Sequence, residues 1–123
     1  VWVGVPSYDA YISSEYRLAS QVLGSTGAHV YWLEGAHINR EIRPQNHPDR
    51  IDGLNELVRV ATSDLDHVTT VAYRDFIGAN GTARERHTRD DGVHLSLGGM
   101  AEVADWLVDE VLVESAPSAR ESD

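Results

Sequence analysis

Apolar residues change their period several times along this chain, and each change marks an element. Val1–Val5 is a short apolar run closed by Gly4-Val5-Pro6-Ser7, which reads as a strand buried on both faces and then a turn. Ser13 and Ser14 are the N-cap candidates of the next helix, because their hydroxyls can accept from the free amides of a first turn. Ile12, Tyr16, Ala19 and Leu23 fall at helical spacing, and Gly24, with Gly27 beyond it, supplies the stop. His29–Leu33 reads as a second strand, followed by a long polar loop from Glu34 to His47 that contains Pro44. Pro48 suits a first helical turn, and Ile51, Leu54, Leu57, Val58 and Ala61 then make one apolar stripe, with Asp52, Asn55, Glu56 and Arg59 facing out. Val68–Tyr73 is the third strand, and Asp75–Arg89 a polar, glycine-containing loop. Met100, Val103, Ala104, Leu107, Val108, Val111 and Leu112 give the last helix, ending near Val113, with Ser96 as its N-cap.

The order strand, helix, strand, helix, strand, loop, helix implies an α/β domain with a parallel sheet and helices on its faces. Three strands make a thin sheet with open edges, so the sheet reads as incomplete. The domain takes residues 1–114, and residues 115–123 read as a disordered tail.

Composition narrows the functional classes. A formal net charge of −10 argues against nucleic acid and against an anionic membrane surface, both of which need clustered Lys and Arg. No apolar run approaches the ~20 residues of a membrane helix. Without cysteine there is no disulfide framework and no thiolate nucleophile. His29, His47, His67 and His87 are scattered without metal-ligand spacing, so neither metal nor cofactor is expected. The chain opens Val-Trp-Val-Gly-Val inside a strand-like run, which points to an interior start, with any targeting segment upstream. An acidic, cysteine-free domain suits an extracytoplasmic location, and a cytoplasmic one nearly as well.

The chemistry concentrates in Arg89-Asp90-Asp91-Gly92-Val93-His94-Leu95-Ser96. A carboxylate three residues before an imidazole, just ahead of a helix, can fix the ring's tautomer and leave its second nitrogen free as a base. His94 and Asp91 are therefore the candidate catalytic pair; Asp90 competes for the orienting role, with the spacing favouring Asp91. Ser7, at a strand's C-terminal end, is the candidate nucleophile within the chain, or else a turn residue after Pro6. His37 and Trp32, beside the loop after the second strand, are candidates for a substrate pocket; a solvated loop histidine and a packing tryptophan are the alternatives.

Asp91-Gly92-Val93-His94, with Leu95-Ser96-Leu97-Gly98-Gly99 and the amphipathic helix after it, resembles the last block of the SGNH (GDSL-type) hydrolases and acyltransferases. The strand Val30–Leu33, the helix Arg50–Ala61 and the strand Val68–Tyr73 resemble the second half of that family's domain. The resemblance implies a three-layer, flavodoxin-like α/β/α sandwich of which this chain is the C-terminal portion. It implies serine acyl transfer on a small-molecule or glycan ester, with His94 as general base and Asp91 as its orienter. The family's Gly-Asp-Ser segment has no counterpart here, and Pro6 stands where an oxyanion-hole amide side chain would be. The nucleophile is then expected upstream of Val1, and the missing N-terminal half of the domain, or a dimer partner, is expected to complete it. The alternative is a non-catalytic binding or interaction module on the same scaffold. A flavodoxin-like domain for a phosphorylated ligand ranks last, because no glycine-rich phosphate loop is present.

Overall fold

The computed structural model describes residues 4–39, 47–78 and 83–113. Helix α1 (Pro6–Gly24) leads to strand β1 (Val30–Leu33), helix α2 (Pro48–Thr62) and strand β2 (Val68–Val71). Three helical segments follow: α3 (Tyr73–Ile77), α4 (Ala83–Thr88) and α5 (Leu97–Trp106), the last continuing as a π-helical stretch over Leu107–Leu112. The two strands pair in parallel, with Val30 opposite Val68 and Leu33 opposite Val71. The chain is thus α/β and mostly helical. The expected parallel sheet is present with two strands among the described residues, not three.

The first helix begins earlier than its serines suggest. Proline at the first helical position has the right φ already and lacks only an amide that would be unpaired there anyway. The Asp9 carboxylate in that first turn accepts from the Gly4 amide at 2.9 Å, which holds the incoming chain. Ser13 and Ser14 therefore lie inside α1, and Ser7 is its second residue and not part of a turn. Of the expected strand Val1–Val5, residues 1–3 lie outside the described residues, Gly4 is a turn residue with φ +97°, and Val5 is the helix N-cap. The tail from Glu114 onward lies outside them too.

α1 packs on α2 and on β1. Arg17 clasps Asp64 with two bonds, at 2.6 and 2.9 Å, and reaches the Ala61 carbonyl at the end of α2. Near the C-terminal end of α1, Ser20 O meets the His67 ring at 3.0 Å, and that ring fills the space a side chain at Gly24 would need. His67 immediately precedes β2, so this end of α1 lies at the amino edge of the sheet. The first turn, ~25 Å away along the axis, runs toward the carboxyl edge.

Beyond β2 the structure departs most from the sequence pattern. The strand stops at Val71, Tyr73 opens α3, and the segment expected to be loop holds both α3 and α4. Tertiary contacts hold these short helices. Phe76 stacks on Trp106 of α5 at 4.2 Å, and the Arg84 guanidinium lies 4.5 Å over the Phe76 ring while donating to the Phe76 carbonyl. The apolar stripe of the last helix is only partly covered: Val103 is buried, whereas Met100, Val108 and Leu112 are about half exposed.

Candidate active site

The loop from Arg89 to His94 joins α4 to α5 and is pinned at both ends. On the α4 side Thr88 is buried; its hydroxyl donates to Arg84 O at 2.8 Å, and its carbonyl accepts from the Ser96 amide at 2.8 Å. On the α5 side the Ser96 hydroxyl donates to His87 O at 3.0 Å and accepts from the Gly99 amide at 2.9 Å, as an N-cap does. Gly99 lies so close to the Thr88 backbone that any side chain there would collide with it. Midway, Gly92 has φ +77°, accepts from the Asn39 amide at 2.8 Å, and leaves no room for a Cβ against the Asn39 carbonyl. Only glycine satisfies both demands.

Within this loop Asp91 uses both oxygens. Oδ2 pairs with His94 Nδ1 at 2.8 Å, and Oδ1 accepts from the Val93 and His94 amides at 2.8 and 2.7 Å. The ring bond first, and then the two amides, hold the carboxyl well below the usual carboxylate range. An ionised Asp91 keeps the ring's proton on Nδ1, which leaves the Nε2 lone pair available. The His94 side chain is 80 % exposed, and no described residue bonds its Nε2. The arrangement is that of an oriented base facing outward.

No serine hydroxyl among the described residues bonds that ring. Ser14, Ser20, Ser25, Ser63 and Ser96 each donate to a backbone carbonyl. Ser7 is exposed in the first turn of α1, and no hydrogen bond joins it to His94.

His37 has a carboxylate of its own. Its Nε2 pairs with Asp52 Oδ1 at 2.7 Å, and Arg74 Nη1 donates to the same oxygen at 2.6 Å. Partial burial opposes ionisation of Asp52, but the bonds from His37 and Arg74 outweigh it, and its pKa falls below the ordinary 3.8. The His37 carbonyl accepts from Arg89 Nη2 at 2.6 Å, and Arg89 is in turn paired with Glu85, both side chains being almost wholly buried. The strand-end loop and the Arg89–His94 loop are thereby fastened together. Asp52 does not simply face solvent, nor does Asn55, whose amide exchanges two hydrogen bonds with the Gly35 backbone. Sequence reasoning missed Asp52, Arg74, Glu85 and Arg89. Glu85 and Arg89 carried a signal, their four-residue spacing; Asp52 carried none.

Trp32 faces α1. Its indole N–H donates to Ser20 Oγ at 2.8 Å, and its ring meets Tyr16 edge-on at 5.0 Å. It lines a cavity of about 200 Å³ together with Tyr16, Glu34 and Leu54, whereas His37 lines another, of about 360 Å³, with Arg74 and Asp75. The two pocket candidates are not brought together.

Among the described residues no group of three His, Asp or Glu side chains could hold a metal ion, and no helix is long and apolar enough to cross a membrane. The chain matches no protein-family model, no curated protein and no solved structure.

Proposed function

We propose that this chain belongs to an ester-handling domain of SGNH type that works by serine acyl transfer. The observation that carries the reading is the Asp91–His94 pair, a carboxylate locked by two amides onto Nδ1 of a ring whose Nε2 faces outward. In the forward step Nε2 takes the proton of a serine hydroxyl as its oxygen attacks the ester carbonyl, then delivers that proton to the leaving alkoxide. In the return step Nε2 takes a proton from water, or from a sugar hydroxyl, as that oxygen attacks the acyl carbon. It returns the proton to the serine oxygen as the acyl–oxygen bond to the serine breaks. Asp91 stays ionised throughout and stabilises the imidazolium. The parallel β1–α2–β2 unit is compatible with the second half of a flavodoxin-like, three-layer sandwich, whose remaining strands would lie outside the described residues. The serine is likewise supplied from outside them, or by Ser7. The substrate class is a small-molecule or glycan ester.

Fluorophosphonate labelling with peptide mapping, on the full-length protein as its gene encodes it, tests this. One serine should be labelled, and His94→Ala should slow labelling and ester turnover by on the order of 10³-fold or more. Undiminished labelling in that variant would sink the assignment. A second reading, a non-catalytic binding module, draws on the lack of any described serine hydroxyl at His94. It predicts neither labelling nor turnover in the full-length protein.

A further inference from the structure

The Tyr16–Trp32 ring pair stands between two cavities, and each brings a carboxylate to the rings. On one side Glu34 shares the cavity of about 200 Å³ with Tyr16, Trp32, Leu54 and Val58; on the other Glu15 shares one of about 310 Å³ with both rings and Ala19. We propose that the Trp32–Tyr16–Glu34 pocket binds a small organic ammonium group.

The lining sets the chemistry. Aromatic faces attract a cation through their quadrupole, aliphatic walls from Leu54 and Val58 suit N-methyl or methylene groups, and a carboxylate supplies the opposite charge. The Glu34 amide donates to Val71 O at 3.0 Å, but its carboxylate makes no hydrogen bond or ion pair among the described residues. Among the neighbouring nitrogen donors, the Trp32 N–H is committed to Ser20, the Asn55 amide to Gly35, Arg59 to Glu56, and Arg74 to Asp52 and Asp75. Burial, and then the nearby Asp75, raise the pKa of Glu34, while Arg74 and Arg59 oppose that shift only through space. A partly desolvated carboxylate with aromatic neighbours and no bonded counter-charge is suited to a cation. The same lining rejects anions. The pocket lies at the carboxyl end of β1, the edge where α/β sheets receive ligands, and it shares no residue with the Asp91–His94 loop. Its occupancy therefore stands or falls separately from the acyl-transfer reading.

Titration of the isotope-labelled full chain with choline, and with its uncharged isostere 3,3-dimethylbutan-1-ol, tests the proposal. Choline should saturably shift the Trp32 indole N–H and Gly35 amide resonances, and the alcohol should bind roughly tenfold more weakly or not at all. Glu34→Gln should weaken choline by roughly tenfold and leave the alcohol unchanged. Asp49→Asn, which removes an exposed charge outside this pocket, should leave choline binding intact. The proposal is overturned by equal binding of the two compounds, by no saturable choline shift, by indifference to Glu34→Gln, or by equal losses in the two variants. An otherwise unchanged spectrum for Glu34→Gln establishes that the variant is folded.

Discussion

Two histidine–carboxylate pairs share one neighbourhood of this chain and are built in opposite ways. His94 and Asp91 lie three residues apart in one loop; His37 and Asp52 lie fifteen apart, on the β1–α2 loop and on α2. Asp91 serves its ring and the amides of its own loop, and the ring is 80 % exposed with Nε2 outward. Asp52 is shared between His37 and Arg74, and the His37 ring is only 24 % exposed, with Nε2 already taken by the carboxylate. The first pair leaves a lone pair available on the atom that faces solvent. The second ties the strand-end loop, α2 and α3 together. A histidine beside a carboxylate is therefore not by itself a base; which nitrogen the carboxylate takes, and what else binds that carboxylate, decides the role.

Replacing each carboxylate by its amide separates the two most widely. Asp91→Asn should lower ester turnover of the full-length protein by on the order of 10³-fold while the melting temperature stays near that of the parent, because the amide no longer fixes the tautomer. Asp52→Asn should do the reverse: a loss of about 1 kcal/mol of stability, small because the side chain is 41 % exposed, with turnover within a few-fold. Equal turnover losses from both would erase the distinction. Thermal melts beside initial-rate assays read both axes.

The glycine between Asp91 and His94 tests whether the exposed pair depends on its anchorage. Gly92→Ala puts a Cβ onto the Asn39 carbonyl at a left-handed backbone position, and this should cost about 1–3 kcal/mol. The rate should fall as well, since the Asn39 bond to Gly92 O holds this loop against the β1–α2 loop. An alanine variant as stable as the parent would mean that the two loops are not rigidly joined.

The same contrast explains what could be read from the sequence. Asp91, His94 and the Ser96 cap act on residues within five positions, so their spacing carried the information. Pro48 at the start of α2, the apolar, largely aromatic run of β1 and the β-branched run of β2 were legible for the same local reason. The start of α1 was not, because Pro6 and the Asp9 bond to Gly4 outcompeted the hydroxyls of Ser13 and Ser14. α3 and α4 have five and six residues, too few for a helical period, and Phe76 on Trp106 and Arg89 on Glu85 hold them from a distance or from within. The last helix was legible as a helix but not in its packing, because α4, through Thr88 against Gly99, sets which face is covered. Asp52 as a partner of His37 was invisible, since nothing in a helix pattern says which polar residue a later loop will reach.

Acid sharpens the comparison at its smallest scale. Asp52 and Asp91 both titrate below the ordinary 3.8 in the folded protein, so whatever each contributes is fully present above that value and is lost as pH falls through the lowered one. Protonating Asp52 releases Arg74 and His37, loosening contacts between three segments, whereas protonating Asp91 loosens contacts inside one loop. Melting temperature should accordingly be nearly flat from about pH 7 to about pH 5 with respect to these groups and fall below about pH 4. Asp52→Asn and Asp91→Asn, neither having a proton to gain at that position, should each show a shallower acid fall than the parent. Parallel acid curves for the parent and Asp52→Asn would mean that the His37–Asp52–Arg74 tie adds nothing to the fold, and His37 would then become available for a role at the substrate.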